Sequence, residues 1–339
     1  MRKLSYGLAI NEGFHQSMER DERVFVLGQG VLNPWYVGET ARGLDTKYAP
    51  SGRVIDPPVS ENGMNGVVIG AALAGMRPIT IHPRLDFLLM GFEQVVNEAS
   101  NWSYVFGGQQ ACPVVIRGII NRGGEQGAQH SQAIHAMFNH VPGLKVVMPA
   151  TPYDAKGLLC AAVEDDNPVI YIDDRWLYSE EGNVPTEYYK TPLGKANTLK
   201  TGTDVTIVAV SYMVKLAQEA SMVLAQQGIN VEIVDPRTIS PLDEDHIFSS
   251  VRKTGHVVVC DSGWYTGGVA GDIAARIVEK AFHALKAPIL RVTLPDCPAP
   301  SATSEEKAYY PTAQHIVDKV MQVLGRQRVP QHAVTSVGQ

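Results

Sequence analysis

Three short stretches hold the residue types that could do chemistry. The first is R-G-G-E-Q-G-A-Q-H-S-Q-A-I-H, residues 122–135, where a glycine-rich turn delivers His130 just ahead of a helical pattern. An imidazole on such a turn points from a loop into a cleft, and its ordinary pKa near neutrality suits proton transfer. His130, His135 and His140 recur every five residues. On a helix that spacing leaves successive rings roughly 140° apart, so they cannot converge on one zinc ion. His135 and His140 read as structural or surface residues. Ser131 adjoins His130, which is the wrong geometry for a Ser–His–Asp relay.

The second stretch, V-S-E-N-G-M-N-G-V-V-I-G-A-A-L-A-G-M, places Ser60 and Glu61 at the start of a helix predicted over 62–75. Two readings of this pair stand. One is a cap, with a hydroxyl on free N–H groups and an acid near the positive end of the helix dipole. The other is catalytic, because D-P-P-V puts the carboxylate beyond the carboxyl end of a parallel strand, where ligands bind in open α/β sheets. Gly66, Gly70 and Ala74 share one face of this helix. Each glycine costs roughly 1 kcal/mol relative to alanine, so close backbone packing must compensate, within one subunit or across a subunit interface. The third set, Cys112, Cys160, Cys260 and Cys297, is widely spaced without a C-x-x-C. These read as reduced core thiols.

The elements that must position these residues are alternating strands and helices. Apolar runs at 23–28, 77–82, 113–118, 144–148 and 168–172 predict strands, and 62–75, 87–106 and 153–164 predict helices. That rhythm means a parallel sheet covered on both faces. The stretch from Tyr178 to Thr201 is polar and carries prolines and glycines, a linker signature. A second series follows: strands D-V-T-I-V-A-V, V-E-I-V-D, H-V-V-V-C-D and P-I-L-R-V-T, with helices between and after them. One helix is expected to close at Gly228 and another, P-L-D-E-D-H-I-F-S-S-V, to carry Pro241 in its first turn. The domains expected are 1–185 and 201–326, joined by a linker at 186–200 and followed by a loose tail at 327–339.

A chain of 339 residues exceeds what one core serves, which fits two domains. The net charge of −6, with Lys and Arg scattered, argues against a nucleic-acid surface. No apolar stretch is long enough to span a bilayer. The opening M-R-K-L-S-Y-G-L-A-I enters a helical pattern at once and lacks the features of a signal or transit peptide, so a cytoplasmic protein of bacterial type is expected.

Taken together and in order, these motifs resemble the β subunit of thiamine-diphosphate-dependent 2-oxo acid dehydrogenases of the pyruvate, branched-chain and acetoin type. The resemblance rests on residues 53–78, on F-E-Q-V-V-N-E-A-S (92–100), on G-G-E-Q-G-A-Q-H-S-Q (123–132), on 142–159 and on D-P-R-T-I-S-P-L-D (235–243), and runs from about residue 3 to 325. It implies two three-layer α/β/α domains, an N-terminal pyrimidine-binding domain and a C-terminal transketolase-like domain. By the same resemblance Glu61 hydrogen-bonds a ring nitrogen of the aminopyrimidine and drives the cofactor to its reactive imino tautomer. Phe87 matches the aromatic that stacks on the pyrimidine, and His130 an active-site histidine that manages protons at acyl transfer. Val114, Ala162, Val163, Asp165 and Asn167 match positions whose carbonyls can hold a potassium ion. The chain has no G-D-G magnesium motif. A separate α subunit is therefore expected to bring the magnesium and diphosphate half, in an α2β2 assembly, with a lipoyl acyltransferase taking the acyl group.

The sequence departs from the family pattern at two places. L-G-Q-G carries Gln29 where an acid is usual, and V-L-N-P-W-Y-V-G-E-T after it differs too. Near the cofactor, I-H-P-R-L-D-F brings His82, Pro83 and Arg84 toward the pocket. Gln29, His82 and Arg84 are the candidate substrate-pocket residues, and an arginine there could bind a carboxylate or phosphate bidentately. Two other functions remain in view: transfer of a two-carbon unit to a ketone or sugar without lipoamide, and a non-catalytic scaffold for an α chain.

Overall fold

The structure is a computed structural model that describes residues 2–33, 37–124 and 126–326. The tail expected at 327–339 and part of the divergent segment after Gln29 lie outside the described residues. The strands, in chain order, are β1 (Arg2–Ser5), β2 (Val24–Gly28), β3 (Val54–Ile55), β4 (Arg77–His82), β5 (Val115–Ile120), β6 (Lys145–Val147) and β7 (Val169–Asp174). They continue with β8 (Glu181–Val184), β9 (Asn197–Lys200), β10 (Val205–Ala209), β11 (Val231–Asp235), β12 (Thr238–Ser240), β13 (Val257–Trp264) and β14 (Leu290–Leu294).

Two sheets carry the fold. The larger has the order β12-β6-β7-β5-β4-β2-β3 and the smaller the order β14-β13-β10-β11-β9. Both are parallel except at one edge, where β12 pairs with β6 and β9 with β11 in the antiparallel sense. Alternation along β5 sends Val115 and Ile119 to one side of the larger sheet and Ile116 and Ile120 to the other. The first side is covered by helices Tyr6–Arg20 and Pro152–Glu164. The second joins a core that also takes Val208, Val234, Val257 and Ile277 from the smaller sheet and its helices. A third apolar layer lies beneath helices Tyr212–Ala225 and Ala313–Val323. The architecture is the expected pair of α/β/α layers, with the middle core shared.

Several local expectations are corrected. The chain does not enter a helix at once: Arg2–Ser5 forms a short strand against β8, and Ser5 then caps Tyr6–Arg20. The helix predicted over 87–106 is broken into Leu85–Leu88, a tight turn at Leu89–Gly91, a wide π-helical turn at Gln94–Ala99 and Ser100–Val105. Pro241 follows β12 through a cis peptide bond, and the next helix is Glu244–Thr254, so Pro241 is not in its first turn. Asn197–Lys200, within the linker stretch, forms the edge strand β9. Cys112, Cys160 and Cys260 are buried as expected, but Cys297 is exposed in a turn whose carbonyl accepts from Trp264 and Tyr309.

β12 is the exception to sequence order. It lies in the second half of the chain, yet it completes the first sheet beside β6. The two halves are further joined by His135 Nε2 to Asp261 Oδ1 (2.8 Å) and by Arg237 Nη2 to Asp154 Oδ1 (2.9 Å).

Candidate functional site

The site is assembled where β2 and β4 end. Glu61 is the first residue of helix Glu61–Leu73 and is only 8% exposed. Ser60 makes no capping hydrogen bond through its side chain. A cap alone therefore does not account for the pair. Instead Gln29, just past β2, donates from Nε2 to Glu61 Oε1 at 3.0 Å. Among the described residues no hydrogen-bond partner holds Oε2.

Behind Glu61 a chain of hydrogen bonds locks the helix to the sheet. His82, the last residue of β4, is fully buried, with Nε2 2.9 Å from Asn65 Oδ1. Burial drives the His82 pKa down to about 3, so the ring is neutral and donates from Nε2. Asn65 Nδ2 donates in turn to Gly91 O at 3.0 Å. A Cβ at Gly91 would lie 2.4 Å from Asn65 Nδ2 and 2.7 Å from Glu61 O. Only glycine lets the turn at Leu89–Gly91 press against the Glu61 backbone.

Just before that turn, the short helix Leu85–Leu88 carries Phe87, which is 36% exposed and meets His130 edge to face, with ring centroids 5.1 Å apart. Asp86, beside Phe87, is buried, and its Oδ1 accepts the Gln132 N–H at 3.0 Å. The Asp86 pKa is raised, chiefly by burial, with the Gln132 hydrogen bonds and the His130 ring pulling the other way. Asp86 Oδ2 is buried and has no partner among the described residues. The His130 turn is thus fastened to the Phe87 turn by Asp86 and to the second sheet by His135 and Asp261.

Of the residues expected at the site, the structure brings Glu61 and Gln29 into one pair and Phe87 and His130 into another. Arg84 is half-buried, donating from Nη1 to Pro83 O (2.9 Å) and from Nη2 to Gln126 Oε1 (3.3 Å). His82 reaches no solvent and supports Glu61 from behind, so it cannot touch a substrate in this arrangement. Asn65, Asp86 and Gly91 were not foreseen. The signal for Asp86 was present in L-D-F, next to the aromatic, but nothing in sequence places Gln132 beside it.

Four of the five carbonyls expected to hold potassium already accept hydrogen bonds. Arg77 Nη1 donates to Val163 O and Asp165 O at 3.0 Å each. Val114 O accepts from Val169 N (3.0 Å) and Ala162 O from Asp165 N (3.3 Å), and the Asn167 N–H bonds Asp165 Oδ1 (2.9 Å). A cation on Val163 O or Asp165 O would face the Arg77 guanidinium, and like charges about 4 Å apart repel by about 4 kcal/mol near a protein surface. Potassium does not fit this set as long as Arg77 stays there.

The donor set does fit the pyrimidine part of thiamine diphosphate: a shielded carboxylate with one oxygen to give, and an aromatic ring with open surface. It does not fit the diphosphate. Among the described residues no cluster of three or more His, Cys, Asp or Glu could hold a metal ion, and no helix is long and apolar enough to cross a membrane.

The Gly66, Gly70 and Ala74 stripe sits on the outer face of the helix that Glu61 begins. A Cβ at Gly70 would meet nothing within 4 Å, and one at Gly66 only Gln94 Cγ at 4.0 Å. Packing inside the described chain does not explain these glycines.

Comparison with known proteins follows the same outline. Residues 2–180 match the family described as "Transketolase, pyrimidine binding domain", and residues 194–316 match "Transketolase, C-terminal domain". The chain is 40% identical over 336 residues to the acetoin:2,6-dichlorophenolindophenol oxidoreductase subunit beta of Bacillus subtilis, covering 96% of this chain and 98% of that one. It is 44% identical over 326 residues to the protein of the same name in Cupriavidus necator, covering 93% and 96%. To the pyruvate dehydrogenase E1 component subunit beta of Rickettsia felis it is 40% identical over 315 residues, again covering 93% and 96%. A solved structure titled "Split gene transketolase, inactive beta4 tetramer" superposes with a TM-score of 0.77 over 96% of this chain and 99% of that one. At 22% identity that likeness speaks for the fold alone.

Proposed function

We infer that this chain, which belongs to the transketolase-like family of 2-oxo acid dehydrogenase β subunits, is the pyrimidine-binding half of a thiamine-diphosphate enzyme that works with an α subunit. Its reaction is decarboxylation of a 2-oxo acid and transfer of the acyl group to a lipoyl acceptor. When bound, thiamine diphosphate supplies the carbon nucleophile and the electron sink for loss of carbon dioxide. The observation that carries the reading is the buried Glu61, held at one oxygen by Gln29 and open at the other.

In this reading Glu61 Oε2 receives or holds the proton at the pyrimidine nitrogen. Phe87 offers its ring face to the same heterocycle. His130, packed against Phe87, manages protons where the acyl group leaves. Arg84 lies at the rim, where its guanidinium could meet a carboxylate. The α subunit supplies magnesium and the diphosphate contacts, the assembly is α2β2, and a lipoyl acyltransferase carries the acceptor in the cytoplasm. The working domains follow the expected division into 1–185 and 201–326, with the second extended back to take in β9 (Asn197–Lys200). Potassium joins this scheme only with Arg77 displaced from the carbonyls of Val163 and Asp165.

The test is to isolate the full chain with whatever accompanies it in its native cell, then assay the complex with thiamine diphosphate and magnesium. The expected partner carries G-D-G, and Glu61→Gln lowers 2-oxo-acid-dependent turnover by about 10²–10⁴-fold, the range of general acid–base catalysis. Full activity in Glu61→Gln, or cofactor held entirely by this chain alone, overturns the reading.

A further inference from the structure

We propose that Gln29 is a positioning residue for Glu61: its side-chain amide fixes one carboxylate oxygen and so commits the other to the cofactor. This rests on the reading that Glu61 meets the pyrimidine of thiamine diphosphate, and it moves Gln29 from the substrate pocket to the support of the carboxylate.

The two side chains are both shielded, Gln29 at 7% exposure and Glu61 at 8%. At 3.0 Å the Gln29 amide N–H donates and the Glu61 oxygen accepts, which orients Nε2 toward Oε1. A charge-assisted hydrogen bond of this kind holds the carboxylate in one rotamer rather than several. The backbone beneath Gln29 is equally constrained. A Cβ at Gly28 would fall 2.7 Å from Ile81 Cβ and 2.9 Å from Ile81 O, so β2 ends pressed against β4. Immediately after Gln29, Asp56 Oδ1 accepts the Gly30 N–H at 3.0 Å and Asp56 Oδ2 the Leu32 N–H at 3.3 Å. Asp56 lies in the D-P-P-V-S segment that leads into Glu61. One exposed carboxylate thus ties together the two segments whose buried side chains meet.

Gln29 cannot ionise, so within the pair Glu61 faces no second carboxyl. Two titratable groups belong to the same hydrogen-bonded surroundings: Asp56, bonded to the Gly30 N–H on the segment before the helix, and His82, buried, neutral and bonded to Asn65. A carboxyl placed at position 29 would change this arrangement, because two carboxylates at hydrogen-bonding range must share a proton.

The experiment uses the full chain reconstituted with its α partner and measures thiamine diphosphate affinity, kcat and KM for the 2-oxo acid. Gln29→Met is expected to weaken cofactor affinity and kcat by about tenfold, the size of one hydrogen bond to a charged group, with KM unchanged. Gln29→Glu is expected to introduce a fall in cofactor affinity as pH rises from about 7 to about 9 that the unaltered complex does not show, because the shared proton is lost. If Gln29→Met damages folding, the pH step in Gln29→Glu still decides. Wild-type affinity and kcat in Gln29→Met, or a Gln29→Glu profile with no new step, overturns the proposal. Glu61→Gln, measured alongside, separates the two levels: damage there with none at position 29 sinks only the positioning role, and no damage at either sinks the reading of Glu61 itself.

Discussion

The Glu61 end of the site and the His130 end are built by different means. Glu61 begins a regular helix at the end of a parallel strand, and its supports, Gln29, Asn65, His82 and Gly91, all come from the first hundred residues. His130 sits on a turn fixed by side chains from elsewhere. Asp86 holds Gln132, His135 reaches Asp261 in the second sheet, and the Gly123 N–H bonds the Tyr310 hydroxyl at 3.3 Å. The carboxylate end is supported from the first half alone, whereas the histidine end is also braced by Asp261 and Tyr310 from the second half. A site divided this way can hold its cofactor contact steady while the acyl-transfer side depends on the closure of the chain on itself.

The largest effect on this contrast is expected at Asp261. Both it and His135 are completely buried at 2.8 Å. Burial alone would raise the Asp261 pKa, but the charge and hydrogen bond of His135, with backbone N–H groups of Gly263 and Ala270, outweigh it and lower the pKa. Asp261→Ala leaves an imidazole buried without its partner and should cost about 3–5 kcal/mol in thermal or denaturant unfolding. An unfolding midpoint equal to wild type would show that the halves dock without this pair.

The Glu61 end should instead reveal itself in acid. The His82 pKa is about 3 in the folded chain and about 6.5 when unfolded. Its neutral form therefore contributes stability that is fully present above about pH 6.5 and is lost as pH falls toward 3, amounting to roughly 3 kcal/mol by about pH 4. His82→Gln, which can still donate to Asn65, should flatten the unfolding free energy over that window. An unchanged slope would mean that the ring is not what acid attacks.

The smallest effect sharpens the division. Asp86→Ala frees the Gln132 N–H and loosens His130 against Phe87. In the complex kcat is expected to fall by about tenfold with cofactor affinity intact, since the Glu61 supports are untouched. Equal losses in both would show that the two ends are one mechanical unit.

The sequence exposed much of this because the carboxylate end is local. Strands ending in glycine, a helix opening on Ser60 and Glu61, and L-D-F after β4 are spaced by regular geometry, so their neighbours can be foreseen. The glycine stripe was legible as a need for close packing within one subunit or across an interface, and the described chain supplies no such contact at Gly70. The five potassium positions were expected from motif order alone, and nothing in that order said that Arg77 would already be bonded to the carbonyls of Val163 and Asp165. The helix over 87–106 read as continuous, and its break into tight and wide turns, which lets Gly91 reach Glu61, was invisible to a periodicity that averages over turns.

Composition and periodicity determined the α/β class and the two domains, and the order of the motifs carried the resemblance to the family. Only the tertiary structure decided that Gln29 grips Glu61, that His82 serves from behind the pocket, and that β12 crosses to complete the first sheet. The physical reason is separation along the chain. Hydrophobic period and turn chemistry act over a few residues, but a hydrogen bond between positions 29 and 61, or 135 and 261, forms only after burial has brought distant segments together and left their polar groups no water to turn to.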